Sequence, residues 1–410
     1  MAKSYVFLAL ACAWTLAACA AAQTGDTTGA GGSPTTGAGG AGGDGGTSGA
    51  GAGFGMGGPF TFPQNKASGS CKLTTVANAA GAAQSAYDYW KSRFVTANGA
   101  PSGALRVQRD GSSGNDTVSE GMGYGMIAAV YRGDQTTFDG LWAYAKAHFD
   151  AHGLMTWHLS SSGSVVESGS ASDGDEDMAW ALLMASDQWP DNTSYLTDAK
   201  TLIDNIFFNE IGSDNRFMPG DTWGADPTLF PDYFSPAYYR AFARASQNNA
   251  WVSQVIEKGY ATLAAQTGTD GLVPDNINAA AGKMKPNYTY DACRTPWRIG
   301  LDYCFNNEPR ALTYLMKIGA FFNGANGGPS SAAAIGDGYT PTGSQTSGNH
   351  NMAFIGPAGI AGMAGFQTLL DGAFNYGATN NGNDTSYFPQ SLRVLSMLMM
   401  SGNFLDYSQQ

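Results

Sequence analysis

The run Ala171-Ser172-Asp173-Gly174-Asp175-Glu176-Asp177-Met178-Ala179-Trp180-Ala181-Leu182-Leu183-Met184-Ala185 sets a block of acids directly ahead of an apolar stretch. It predicts a helix over 173–189 whose acids gather in the first turn, where they complement the helix dipole. Working outward, the same periodicity predicts helices over 74–95, 119–132, 136–150, 194–211, 236–246, 248–267, 295–305, 308–323, 353–366, 367–376 and 386–401. Ser119, Pro236, Pro296 and Pro309 supply local start signals. Period-2 alternation is scarce. No short period repeats in the sequence, so about twelve helices between Pro59 and Gln410 favour a closed all-α toroid over a solenoid.

The chemistry falls at the starts of alternate helices. Ser119-Glu120 opens the second, the Asp173 block the fourth, Asp232-Tyr233-Phe234-Ser235-Pro236 the sixth and Tyr290-Asp291-Ala292-Cys293-Arg294 the eighth. In a ring of helical hairpins the even-numbered helices run parallel, so these four clusters converge on one rim. One acid in a first turn is explained by the dipole alone; four at alternate helices, each beside aromatics, are not. Two carboxyls flanking a glycosidic bond suffice to hydrolyse it, one donating a proton to the leaving oxygen and the other activating water or attacking. A helix amino end favours the ionised form, whereas burial and neighbouring acids favour the protonated one. Among the tryptophans, Trp180 and Trp251 lie mid-helix and read as core. Trp157 and Trp223 lie in loops, where an aromatic face is available to a sugar ring.

Composition narrows the class. The 410 residues carry 33 Asp+Glu against 21 Lys+Arg, a net charge of −12 with no basic cluster, which argues against a nucleic-acid partner. Aromatic residues at 12% argue against wholesale disorder. Residues 1–18 read as an export signal, with Lys3 ahead of an apolar run from Val6 to Leu16. Leu16-Ala17-Ala18-Cys19 resembles a bacterial lipoprotein cleavage box, which makes Cys19 the expected lipidation site; ordinary cleavage beside Ala20 or Ala22 is the alternative. Residues 19–58, with 17 of the 56 glycines, read as a flexible tether, and 59–410 as the catalytic domain. Cys293 and Cys304 look like a natural pair, but a helix from Pro296 carries Cys304 about 12 Å along its axis, beyond disulfide reach. The pairing of Cys71, Cys293 and Cys304 stays open.

The Asp173 block also closely resembles the signature of glycoside hydrolase family 8, and Ser119-Glu120-Gly121-Met122-Gly123-Tyr124-Gly125-Met126 resembles that family's proton-donor motif. Tyr233-Phe234-Ser235-Pro236 and Tyr290-Asp291-Ala292-Cys293-Arg294-Thr295-Pro296-Trp297-Arg298 match two further blocks in the same order. The resemblance implies an (α/α)6 barrel and an inverting endo-hydrolase of β-1,4-linked glycans. Glu120 would be the general acid, Asp291 the general base, and Asp173 would contact and help distort the sugar. Arg294 would orient Asp291 and Tyr233 would position water or sugar. Trp157, Trp223, Tyr124 and Asp175 are the expected substrate contacts. An acid at Asp291 favours the β-glucanase and xylanase branches over the chitosanase-like one. Cellulose or mixed-linkage glucan is the expected substrate; xylan or chitosan hydrolysis on the same scaffold and a non-catalytic glycan-binding lipoprotein are the alternatives.

Other signals are weaker. Asp173-x-Asp175-x-Asp177 has Met178 where a calcium loop needs Gly and Met184 where it needs the bidentate Glu. His148, His152 and His158 read as surface helix histidines rather than metal ligands. Gly121-x-Gly123-x-Gly125 follows no strand and is not a dinucleotide fingerprint. No cofactor or metal is expected. The expected partner is a β-glycan, with membrane contact only through the lipid anchor, and the expected form is a monomer at the outer membrane or cell surface, or secreted.

Overall fold

A computed structural model describes residues 53–224, 226, 228–278, 285–379 and 385–410. The expected signal, Cys19 and the tether up to residue 52 lie outside the described residues. Twelve helices follow in order: α1 Ala79–Phe94, α2 Ser119–Arg132, α3 Gln135–Ala147, α4 Ser172–Gln188, α5 Ser194–Glu210 and α6 Pro236–Ser246. Then come α7 Glu257–Gln266, α8 Thr295–Asn306, α9 Pro309–Phe322, α10 Met352–Gly362, α11 Gln367–Thr379 and α12 Tyr387–Met400. A π-helical turn, Trp251–Ile256, leads into α7, inside the single helix expected from 248.

The even-numbered helices form a closed inner ring. α2 packs on α4, α4 on α6, α6 on α8, α8 on α10, α10 on α12, and α12 returns to α2. The odd-numbered helices lie against them, with α1 on α12 and α3, α5, α9 and α11 each on a neighbouring inner helix. The all-α (α/α)6 barrel is therefore the observed fold. Position in the ring explains sequence character: every residue of α4 and α10 and all of α12 but Phe388 are buried, whereas α5 and α9 bury only one stripe.

Glycines set how closely the inner helices approach. A Cβ on Gly123 would lie 2.6 Å from Asp177 Cβ, and one on Gly174 would lie 2.6 Å from the Ser119 carbonyl carbon. The first turns of α2 and α4 can meet only with bare backbone at both places. Three features escaped helical periodicity. Residues Thr117–Val118, His158–Leu159 and Val165–Glu167 form a small antiparallel sheet beside the start of α2, with Thr117 opposite Leu159. The segment 324–352, between two of the expected helices, is pinned where Tyr339 pairs with Tyr288 and Gln345. Lastly, residues 53–58, read as the end of the tether, lie against the domain: Gly55 and Met56 donate backbone N–H groups to Asp187 Oδ1 at 2.7 and 3.3 Å.

The disulfide joins Cys71 to Cys304 across a Cα separation of 5.2 Å. Cys304 lies on the tenth residue of α8, well below Cys293, and meets the segment ahead of α1 instead. Cys293 is free and buried, its Sγ 3.3 Å from the Tyr290 carbonyl oxygen.

Candidate active site

Arg294 stands at the centre of the rim. It lies in the last turn before α8, is 2% exposed, and gathers carboxyls from all four of the clusters. Nη1 donates to Glu120 Oε2 at 2.7 Å and to Asp173 Oδ2 at 2.8 Å. Nη2 is 2.5 Å from Asp232 Oδ2 and 3.6 Å from Asp291 Oδ1. The expected link from Arg294 to Asp291 is thus its longest contact, because Glu120, Asp173 and Asp232 take the guanidinium edge first. Asp291 is fixed another way: buried Asp275 accepts the backbone N–H groups of Thr289 and Ala292 at 2.8 and 3.0 Å, clamping the turn that carries Asp291.

Glu120 and Asp291 both open onto a groove of about 840 Å³. The Glu120 side chain is 19% exposed and that of Asp291 33%. Burial raises the Glu120 carboxyl to about 7, with Asp173 and Asp291 adding to the rise and Arg294 and the Tyr387 hydroxyl opposing it. Burial also raises Asp291, with Arg294 opposing. The tension is therefore resolved toward burial, with the neighbouring acids adding to it: Glu120 can hold a proton near neutrality. The two carboxyls meet different nitrogens of one planar fork at 2.7 and 3.6 Å. Their facing oxygens therefore lie under the roughly 9.5 Å upper limit for a pair with a water between them.

A second ionic layer lies one helical turn below. Arg298 Nη2 donates to Asp177 Oδ2 at 3.0 Å, and Nη1 pairs with Asp177 Oδ1 and lies 3.6 Å from Glu176 Oε1. Asp173 and Asp177 on α4 thus face Arg294, in the turn that leads into α8, and Arg298 on α8, both pairs spaced by four residues. Asp175 points elsewhere. It is fully buried and accepts the Met155 backbone N–H at 3.0 Å, so it is no groove contact. Tyr124, 1% exposed, sits beneath the cluster with its hydroxyl 3.3 Å from Arg294 Nη1, and it too presents no face to a sugar.

Aromatic rings flank Arg294 on two sides. On one, the Tyr233 ring lies 5.4 Å from the guanidinium and stacks on Phe230 at 4.9 Å; Trp223, 38% exposed, closes on Phe230 at 6.5 Å. On the other, Phe388 lies 5.8 Å from Arg294 and 6.0 Å from half-exposed Tyr290. Trp157, partly exposed, is tied to the site through its backbone, whose carbonyl accepts the Ser119 N–H at 2.9 Å.

Three residues of the rim carry no role in the reading of the sequence. Asp232 was within a quoted cluster but had no role. Tyr387 opens α12 and donates its hydroxyl to Glu120 Oε1 at 2.9 Å. Asn351 caps α10, lines the groove and donates to Asp337, which also takes the Tyr290 hydroxyl at 2.9 Å. All six inner helices therefore send a polar residue from their amino ends to one rim, and extending the alternate-helix register to the tenth and twelfth helices is the one signal that could have found Asn351 and Tyr387.

The histidines do different work from that expected. His158 lies in a strand, not on a helix, with Nε2 2.8 Å from Asp116, which is also held bidentately by Arg109. His152 occupies a turn, its Nδ1 2.6 Å from Asp221 Oδ2. Asp150, His152 and Asp221 each offer a ligand atom within 4.8 Å of the others, a spacing compatible with a cation, though the His152–Asp221 pair also satisfies itself.

Comparison with known proteins gives the same picture. The model of glycosyl hydrolases family 8 matches residues 60–402. Endoglucanase 2 of Ruminiclostridium josui is 38% identical over 359 residues, covering 83% of this chain and 76% of the relative. Beta-glucanase of Niallia circulans is 32% identical over 84% of this chain and 91% of its own. Among solved structures, apo beta-1,3-1,4-glucanase from Paenibacillus sp. X4 superposes with a TM-score of 0.77 at 30% identity, over 84% of this chain and 98% of that one. An exo-oligoxylanase from Paenibacillus barcinonensis, at 21% identity and a TM-score of 0.67, shares the fold over 81% of this chain and 95% of its own.

Proposed function

The chain belongs to glycosyl hydrolase family 8, and from that premise we propose that Glu120 and Asp291 carry out its hydrolysis of β-glucan. It is an endo-acting O-glycosyl hydrolase, in keeping with endoglucanase and beta-glucanase relatives that match over most of both chains. In the proposed mechanism Glu120 protonates the leaving glycosidic oxygen. Asp291 takes a proton from water that attacks the opposite face of the sugar, with inversion at the anomeric carbon. Asp173, hydrogen-bonded to Arg294, would hold the sugar at the cleaved bond in its distorted form. Tyr233, Trp223 and Trp157 would present ring faces to neighbouring sugars.

One observation carries the reading: the carboxyl held near 7 and a second, more exposed carboxyl open onto the same groove from opposite nitrogens of Arg294. The test is Glu120→Gln assayed on soluble mixed-linkage glucan, soluble cellulose and xylan. Loss of at least about 10²-fold in kcat is expected, the lower end for a general acid. Full activity on any polymer would remove Glu120 from the role. Export by residues 1–18, a tether ahead of residue 53 and acylation of Cys19 remain part of the proposal on the strength of the cleavage box and the Gly-rich composition, and the mass of the mature amino terminus checks the cleavage and the acylation.

A further inference from the structure

We propose that Asp175 and Glu210 are positioning residues that share one buried proton, and that this link fastens the groove wall carrying Trp157 and Trp223 to the start of α4. The part concerning the wall rests on the reading of those two rings as sugar contacts. Asp175 lies in the first turn of α4 and Glu210 is the last residue of α5; both are fully buried. Asp175 Oδ1 accepts the Met155 N–H at 3.0 Å, and Glu210 Oε1 accepts the Ser170 hydroxyl at 2.6 Å. Asp175 Oδ2 and Glu210 Oε2 have no donor, although the two side chains lie within hydrogen-bond reach of each other.

Two carboxylates in such a contact would be two buried charges with no cation between them. One proton supplies the donor that both free oxygens lack, whichever carboxyl carries it. The surroundings offer no other remedy. Asp175 faces Asp150 and Asp173, and Glu210 faces Asp221 and Glu176, so the neighbouring charges are acids. Half-exposed His152 pairs with Asp221 at 2.6 Å rather than with either of the two. Burial raises both carboxyls well above the ordinary carboxylate range; the surrounding acids add to the rise, and the Met155 N–H and the Ser170 hydroxyl oppose it.

The pair stands where three loops meet. Met155, held by Asp175, is two residues from Trp157, whose N–H bonds the Gly169 carbonyl at 2.9 Å. Ser170, held by Glu210, exchanges two bonds with Asp221: its N–H donates to Asp221 Oδ1 at 2.9 Å, and its Oγ accepts the Asp221 N–H at 3.0 Å. Asp221 is two residues from Trp223, and the Glu210 carbonyl accepts the Met218 N–H at 2.8 Å ahead of that turn. The loops of both rings are therefore fastened to α4 and α5 around the shared proton. Its loss would set two like charges in contact and part the loops.

Two measurements test this. A carboxyl raised on folding lets the folded chain hold more protons than the unfolded one, so stability falls as pH climbs above the ordinary carboxylate range. Urea unfolding of wild type and of the double variant Asp175→Asn, Glu210→Gln, followed from about pH 5 to 8, counts the protons released. The wild type is expected to release about one more than the double variant, while the other buried acids titrate in both and cancel. A difference near zero or near two would overturn the shared proton. The second measurement is KM on soluble mixed-linkage glucan. Glu210→Ala is expected to raise it about two- to tenfold, the worth of one displaced aromatic contact, with a smaller change in kcat. Glu210→Gln, whose amide can accept from Ser170 and donate to Asp175, is expected to restore the wild-type value. Glu210→Asp, which retracts the carboxyl, replaces Glu210→Ala should that protein not fold. An unmoved KM in the disrupting variant, or an equal rise in Glu210→Gln, would overturn the positioning role. Trp157→Ala and Trp223→Ala separate the failures: if neither raises KM, the reading of the rings as sugar contacts falls, and if both do while Glu210→Ala does not, only the role of the pair falls.

Discussion

Arg294 decides the chemistry at the scale of single residues, and the two groups that touch Glu120 act on it in the same direction. Arg294 Nη1 and the Tyr387 hydroxyl both favour its ionised form, yet burial prevails and the carboxyl stands near 7. Removing the hydroxyl with Tyr387→Phe therefore raises Glu120 further. The alkaline limb of kcat/KM is expected to move up in pH by up to about one unit, the worth of one hydrogen bond to a charged group. A limb that moved down, or not at all, would mean that the Tyr387 contact does not bear on the acid. Of these residues, Glu120, Asp173, Asp291 and Arg294 were legible because acids and an arginine at helix starts stand out in a chain with 13% charged residues. Tyr387 was not, since a tyrosine at a helix start carries no charge to notice. Asp175 and Tyr124 misled for a related reason: adjacent residues in a motif share its sequence but occupy different helix faces, one turned to Met155 and the other beneath Arg294.

At the scale of elements, the ring holds its site in register by bringing α2 and α4 together on glycine. Gly123→Ala would place a methyl 2.6 Å from Asp177 Cβ and 3.0 Å from the Gly174 carbonyl oxygen, both on a helix with no exposed residue to yield space. The expected cost is about 1–3 kcal/mol of stability, as for other overpacked cores. It should be visible as a lower midpoint in thermal or denaturant unfolding, and an unchanged midpoint would show that α4 can shift freely. Helices were the most legible level of this fold. Prolines at the starts of α6, α8 and α9 and long apolar runs gave all twelve, with ends displaced by a few residues, as at α1, which begins at Ala79 rather than 74. The paired strands were illegible because two or three residues are too few to show alternation. The π-helical turn before α7 was likewise hidden, since its side chains keep a helical spacing.

Across the whole molecule, function and closure occupy opposite ends of the barrel. The rim collects the amino ends of the inner helices, while the strap from residue 53 to α1 meets their carboxyl ends: Asp187 in α4, Cys304 in α8, Met363 just after α10 and Met400 in α12. Lys66 adds a backbone bond to Gly402 at 2.9 Å, and Phe60 stacks on Tyr407 at 4.1 Å, so the strap and the tail after α12 cover this face together. The reading of the sequence placed the domain start at 59 and found no partner for Cys71. A strap without helical periodicity looks like linker until the ends it joins are known. The Cys71–Cys304 bond locks the strap to α8 across 233 residues of sequence, a separation for which a cross-link restricts the unfolded chain strongly. Cys71→Ser is therefore expected to lower stability by about 2–5 kcal/mol under non-reducing conditions. Because Cys71 contacts the carboxyl end of α8 and the groove lies at its amino end, kcat and the pH limbs on mixed-linkage glucan should stay within about twofold and a few tenths of a unit of wild type at temperatures where both remain folded, as expected for additive distant sites. Unfolding midpoints with and without reductant supply the control, since reductant should lower the wild type to the level of the variant and leave the variant unmoved. A Cys71→Ser protein with an unchanged midpoint would mean the strap is held by Asp187, Gly402 and Tyr407 alone, and one with shifted pH limbs would mean that the two ends of the barrel are coupled through α8.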